Sequence, residues 1–116
     1  CVLSAAFRLA PGDRREIESV MEDLMARRIA KQPLEYPSAG SAFKRPQGAF
    51  AGALIQQCGL RGARVGGAAI SEKHCGFIIN LGDATCADVL ALADLVSKTV
   101  KEQTGFVLEK EIRVVE

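Results

Sequence analysis

Residues 2–9, VLSAAFRL, alternate between apolar and polar positions. Leu3, Ala5, Phe7 and Leu9 fall on one face and Ser4 and Arg8 on the other, which predicts a half-buried strand. Pro11 and Gly12 end that run, and the period then lengthens. Ile17, Val20, Met21, Leu24, Met25 and Ile29 recur at helical spacing, with Arg14, Arg15, Glu22, Asp23, Arg27 and Arg28 on the opposite face. Asp13 is placed to cap the free amides of this helix, with Glu16 at the capping-box position. Pro33 disfavours helical geometry at Gln32, so the helix is predicted to end near Lys31.

Residues 32–48, QPLEYPSAGSAFKRPQG, follow neither period and predict an ordered loop or a series of turns. A short helix over residues 49–58 places Phe50, Leu54 and Cys58 on one face, and Gly59 followed by Leu60 supplies a left-handed stop. Residues 61–67, RGARVGG, allow a short extended piece, FIIN at 77–80 reads as a buried strand, and Gly82-Asp83 as a turn. A second long helix starts at Thr85, with Asp88 completing its capping box. Val89, Leu92, Val96 and Val100 form its stripe, and Gly105 ends it. Residues 107–115 read as a final strand, with Ile112 and Val114 on one face and Glu109, Glu111 and Arg113 on the other. Together these elements predict an α+β fold, a small and mostly antiparallel sheet with helices packed on one face.

The 116 residues fit one compact domain. The sequence has five Phe, one Tyr and no Trp, so aliphatic packing must carry most of the core. A net charge of +1 names no partner, and nucleic acid is not expected without a basic stripe. No apolar run approaches the roughly 18 residues of a membrane span, and no leader with a small-residue cleavage site is seen. None of the four cysteines, Cys1, Cys58, Cys75 and Cys86, is spaced as C-x-x-C, and no metal site is expected. Cys58 and Cys86 sit in apolar surroundings and read as small core residues. These features suit a reducing, cytoplasmic setting. The chain opens on Cys1 and Val2 without an initiating Met, and the expectation is a domain or processed fragment of a longer protein.

Three segments carry chemistry-bearing residues. In Ser38-Ala39-Gly40-Ser41-Ala42-Phe43-Lys44-Arg45-Pro46, small residues allow close approach of the backbone to a ligand, and a hydroxyl beside two cations suits an anion. The same residues also suit a tight turn with solvated cations. No histidine at a set distance supports a hydrolase triad, so Ser41 would act as a proton donor rather than a nucleophile. The run Ser71-Glu72-Lys73-His74 before a buried strand reads either as a ligand-facing turn or as a solvated hinge. His74 and Cys75 are adjacent on an extended chain and point to opposite faces, which argues against a thiolate pair. In Glu109-Lys110-Glu111-Ile112-Arg113, alternation puts both carboxylates and Arg113 on one face, where Arg113 could hold Glu111 ionised, or where the charges form ordinary cross-strand ion pairs. Gly66-Gly67 belongs to no G-x-G-x-x-G or G-x-x-x-x-G-K-S/T motif.

In order and spacing, the run from KQPLEYPSAGSAFKRPQG through GGAAISEKHCGFIIN to LEKEIRV resembles the C-terminal, substrate-binding domain of the UDP-N-acetylenolpyruvoylglucosamine reductase family. The resemblance covers nearly the whole of residues 1–116 and is similar to the subtype without substrate-covering insertions. It implies a flavoenzyme in which NADPH reduces bound FAD and hydride then passes to the enolpyruvyl ether of UDP-N-acetylglucosamine enolpyruvate. The product would be UDP-N-acetylmuramate, a peptidoglycan precursor. It implies that Ser41, in GS-x-FK, donates the proton, and that Glu111, in E-x-E-[IV]-R, is the catalytic carboxylate. Lys31 is implied in contacting the substrate's phosphates, and by their charge Lys31, Lys44 and Arg45 suit a diphosphate and a carboxylate. A third catalytic residue, an arginine, and the flavin-binding domains would lie elsewhere in the same polypeptide. The 116-residue piece alone is then expected to bind no FAD and to be inactive. A stand-alone phosphate- or nucleotide-binding module, or an α+β interaction module, is the alternative.

Overall fold

The computed structural model describes residues 2–115, so Cys1 lies outside the described residues. Contacts divide the chain into two compact units, Cys1–Ala30 and Lys31–Glu116.

The first unit is dominated by helix α1 (Arg14–Lys31), whose last residue belongs to the second unit. Asp13 caps it as the sequence implies: its Oδ1 accepts the amides of Arg15 and Glu16, each at 3.0 Å. The helix stops at Lys31, two residues before Pro33. The predicted strand over residues 2–9 is not formed. These residues are exposed and join no sheet among the described residues. Alternation alone does not make a strand, because the backbone groups need a ladder and the apolar face needs a cover. The stripe on α1 is likewise exposed, from Ile17 at 48% to Met21 at 64%.

The second unit holds a four-stranded antiparallel sheet. Its strands are β1 (Ser38–Ser41), β2 (Arg64–Val65), β3 (Ala68–Ile70) and β4 (Phe77–Asn80), in the spatial order β1-β4-β3-β2. Helices α2 (Ala51–Gln57) and α3 (Cys86–Thr104) share one core with one face of this sheet. That core includes Ile55, Ile70, Leu92, Val96 and Val100, all at most 1% exposed. Each such side chain contributes about 1.5–3 kcal/mol by leaving water. Ala69, Phe77 and Ile79 form a smaller buried cluster.

Strand β1 lies inside the segment predicted as an ordered loop or a series of turns. Gly40, at φ +83°, and a register shift between Ser38 and Ser41 let an irregular stretch pair with β4. A bulge of this kind hides the period on which sequence reading depends. The final segment also departs from expectation. Instead of a regular strand over 107–115, it makes a single antiparallel bridge, Phe43 with Lys110. Its alternation survives, with Leu108 buried and Glu109 and Glu111 exposed, but Val114 is 57% exposed rather than packed.

Helix ends follow the local chemistry. At the end of α2, the Gly59 amide donates to Gln56 O at 3.0 Å and the Leu60 amide to Ile55 O at 3.2 Å, a Schellman closure around Gly59 at φ +71°. Gly105, at φ +79°, closes α3. At its start, Thr85 and Asp88 exchange the two bonds of a capping box, at 3.1 and 2.9 Å. Gly67 sits so close to the chain behind it that a Cβ would meet Gly82 O at 2.3 Å. A Cβ on Gly66 would meet the Asp88 carboxylate at 2.5 Å. This glycine pair is therefore filled by the protein itself.

The Thr85 backbone amide, with help from the Thr85 hydroxyl and the Gly67 amide, holds the Asp88 carboxyl below its ordinary value of 3.8. A carboxyl depressed in the fold stabilises it above the unfolded value, and that stability is lost as pH falls through the folded one. Asp88→Asn keeps an acceptor but gives up the charge at the helix start. Urea unfolding should give a lower midpoint for Asp88→Asn than for the parent at pH 7, with the gap closing as pH drops below 3.8. A gap independent of pH would show that the charge is not what Asp88 contributes.

Candidate active site

A cleft of about 500 Å³ opens where β1, the start of α2, the turn before β4 and the terminal segment converge. Ser41 comes from the end of β1 and Glu111 from the terminal segment, and both line it. The bridge at Phe43 joins them. The Glu111 amide donates to Ala42 O at 2.9 Å, and the Lys44 amide to Glu109 O at 2.8 Å. Phe43, only 3% exposed, and Leu108, 5% exposed, anchor the two segments in the core. The Ser41 and Glu111 side chains are left exposed.

The three candidate cations part company. Arg45 lines the cleft, its guanidinium carbon 3.9 Å from the centre of the Phe50 ring. Lys44 does not line it and pairs with Glu109 on the surface. Lys31 ends α1, is exposed and does not line this cleft. No ion pair links Glu111 to Arg113 among the described residues. Residues two apart on an extended chain share a face but stand about 6–7 Å apart, too far for short contact without bending.

Sequence reasoning left Lys73, His74 and Gln56 out of the site, although all line the cleft. The Ser71-Glu72-Lys73-His74 run was the available signal. Its turn is built by Ser71, which is 1% exposed and whose Oγ accepts the amides of Lys73 and His74, each at 3.2 Å. His74 Nδ1 accepts the Gly76 amide at 3.1 Å, which places the neutral ring's proton on Nε2. The Gly76 carbonyl in turn accepts the Ala42 amide at 2.8 Å, tying this turn to the residue after Ser41. Lys73 bridges to Glu35 at 2.9 Å. The Glu35 carboxyl is held below its ordinary value first by its own backbone amide and then by the Lys73 ammonium. Gly52 and Gly76 face each other across the cleft wall, and a Cβ on Gly52 would come within 3.1 Å of the Gly76 nitrogen. Among the described residues, no group of three His, Cys, Asp or Glu is placed to hold a metal.

The cysteines fall differently from the expectation. Cys86, read as a core residue, is exposed at the first position of α3, while Cys58 is half-buried and Cys75 buried. Cys86 stands at helical spacing from Val89 and Ala93, but it lies in the first turn of α3, where residues 85–87 are all exposed. Burial pushes the Cys75 thiol up, with Arg61 opposing. Cys75 therefore stays a neutral thiol beside His74 and forms no thiolate pair with it.

These observations define a small α+β domain whose cleft joins a serine hydroxyl, a carboxylate and cationic side chains. Residues 32–115 match the family of UDP-N-acetylenolpyruvoylglucosamine reductase C-terminal domains, and the chain belongs to that family. It is 58% identical over 114 residues to the UDP-N-acetylenolpyruvoylglucosamine reductase of Agathobacter rectalis, covering 98% of this chain and 36% of that one. The reductase of Staphylococcus aureus strain Newman is 53% identical, with 98% of this chain and 37% of that one covered. The crystal structure of the Thermus caldophilus reductase superposes with a TM-score of 0.72 at 40% identity, covering 91% of this chain and 37% of that one. The chain thus spans little more than a third of the length of these relatives.

Maleimide labelling at pH 7, read by peptide mass mapping, should modify Cys86 well before Cys75. Unfolding in urea should remove the difference. Equal rates in the folded protein would contradict the buried position of Cys75.

Proposed function

We propose that this chain is the substrate-binding and proton-donating domain of a cytoplasmic, NADPH- and FAD-dependent reductase. The enzyme would convert UDP-N-acetylglucosamine enolpyruvate to UDP-N-acetylmuramate for peptidoglycan synthesis. The observation that carries this reading is that Ser41 and Glu111, from the two ends of the second unit, line one cleft together with Arg45 and Lys73. Family membership supports it, because the relatives are named as that reductase.

The Gly66-Gly67 pair offers the flavin no cradle, since it is already filled by Asp88 and by residues 82–84. The flavin would be held by the rest of the polypeptide, where it supplies hydride to the enolpyruvyl double bond. This chain's residues act on the other carbon. A serine hydroxyl is a weak acid, so Ser41 can protonate only a strongly basic centre held within hydrogen-bond reach. A carbanion or enolate beside the substrate carboxylate is such a centre. Arg45, with a planar guanidinium always charged, suits that carboxylate or the diphosphate. Lys73 adds a second cation to the lining of the cleft. Glu111 is the second proton-handling group, and Lys31 and Lys44 would reach the phosphates only from outside the cleft as described. The remaining partner is the flavin-binding part of the same polypeptide. Nucleic acid and membrane are not proposed as partners, and no helix of the described residues is long and apolar enough to cross a membrane.

The test uses a polypeptide that carries the flavin-binding part as well. Ser41→Ala should leave flavin reduction by NADPH nearly intact and slow reoxidation by substrate roughly 100- to 10,000-fold. Glu111→Gln should lower steady-state turnover at least about a hundredfold, whereas Glu109→Gln, paired with Lys44 outside the cleft, should stay within about threefold. Unchanged reoxidation in Ser41→Ala would remove the proton-donor role. Equal small effects at Glu109 and Glu111 would make the terminal carboxylates ordinary surface charges.

A further inference from the structure

Two phenylalanines line the cleft, and they are not equivalent. Phe43 is 3% exposed and belongs to the core, whereas Phe50 is 62% exposed. Leaving a phenyl ring in water has no packing rationale within the unit. Phe50 holds extended geometry at φ −115°, ψ 126°, immediately before α2. The turn that delivers it is fixed by Gly48 at φ +79° and by the Ala49 amide bonded to Pro46 O. Arg45 closes this turn on itself, its guanidinium carbon 3.9 Å from the Phe50 centroid. The cation occupies one face of the ring, which fixes its tilt and leaves the other face uncovered by Arg45. A guanidinium beside an open aromatic face matches a planar ring attached to phosphates, because stacking and charge are then satisfied together.

We infer that Phe50, held by Arg45, is the stacking platform for the base of a nucleoside diphosphate bound in this cleft. The inference rests on the proposed function and goes beyond it by giving the uracil ring a definite seat. Phe50 acts as an affinity and specificity residue and takes no part in proton transfer. The platform also gives Arg45 a double role, orienting the ring while facing the diphosphate.

The chain contains no tryptophan, so Phe50→Trp introduces a single indole at the platform. With the 116-residue chain and UDP as probe, indole emission should be quenched saturably. Inorganic pyrophosphate, which has no base, should leave the emission nearly unchanged. By calorimetry, Phe50→Ala should bind UDP about tenfold or more weakly than the parent, the loss of one stacked base. Phe50→Tyr should restore binding to within about threefold, and pyrophosphate affinity should be the same in all variants. Thermal melts should agree among the variants, since an exposed ring contributes little to folding. If UDP binds parent and Phe50→Ala equally, the platform is overturned while the proposed function stands. If UDP binds neither, although both melt cooperatively, both are overturned. Equal loss of pyrophosphate and UDP affinity in Phe50→Ala would also overturn the platform, because Phe50 would then be acting only through Arg45.

Discussion

A single antiparallel bridge governs the cleft. Residues 42–44 and 109–111 exchange backbone bonds on either side of Phe43, at 2.9 Å from the Glu111 amide to Ala42 O and at 2.8 Å from the Lys44 amide to Glu109 O. The pairing is short, so its strength comes from what lies under it. Phe43 and Leu108 are both almost fully buried, and each contributes about 1.5–3 kcal/mol by leaving water. With those two side chains fixed, Glu111, three residues after Leu108, falls on the face opposite it, and Ser41, at the end of the irregular strand β1, is exposed at the same cleft. The charged neighbours Lys44 and Glu109 then pair on the outer surface rather than at the cleft.

The opposite wall depends on a second local device. The hydroxyl of Ser71, buried where no bulk water reaches, accepts two successive amides and so shapes the Lys73-His74 turn. The Gly76 carbonyl hooks that turn onto Ala42. Gly52 and Gly76 permit the close approach of α2 that completes the wall. Both walls thus meet at Ala42, whose amide and carbonyl serve one wall each. The cleft is in this sense an extension of the sheet edge at β1, not a loop feature added to it.

Much of the fold was legible because its period was clean. The α3 stripe, the Thr85–Asp88 capping box and the left-handed stops at Gly59 and Gly105 are local, and each follows from residues within about two turns. The irregular parts were not legible. Strand β1 is masked by the bulge at Gly40, and the terminal segment's lone bridge depends on a partner far away in the chain. Residues 2–9 have the alternation of a strand without the pairing that makes one. Cys86 has the spacing of the α3 stripe but is exposed because it stands at the very start of the helix, which periodicity does not reveal. Of the candidate site, the resemblance singled out Ser41 and Glu111, and the fold brings both to one cleft with Arg45. The placement of Lys73 and His74 depended on the Ser71 turn, which composition does not reveal. Lys44 was drawn away by Glu109, a competition between charges that only the register decides.

The bridge at Phe43 brings Ser41 and Glu111 to one cleft, where the proposed function has both facing one ligand. The direct measurement is a crystal structure of the polypeptide, with its flavin-binding part, in complex with UDP-N-acetylglucosamine enolpyruvate. The enolpyruvyl group should lie in the cleft, with the Ser41 hydroxyl and the Glu111 carboxylate both within roughly 3.5 Å of it, directly or through one water. A ligand seated elsewhere, or a Glu111 side chain turned to bulk solvent with the substrate bound, would contradict it.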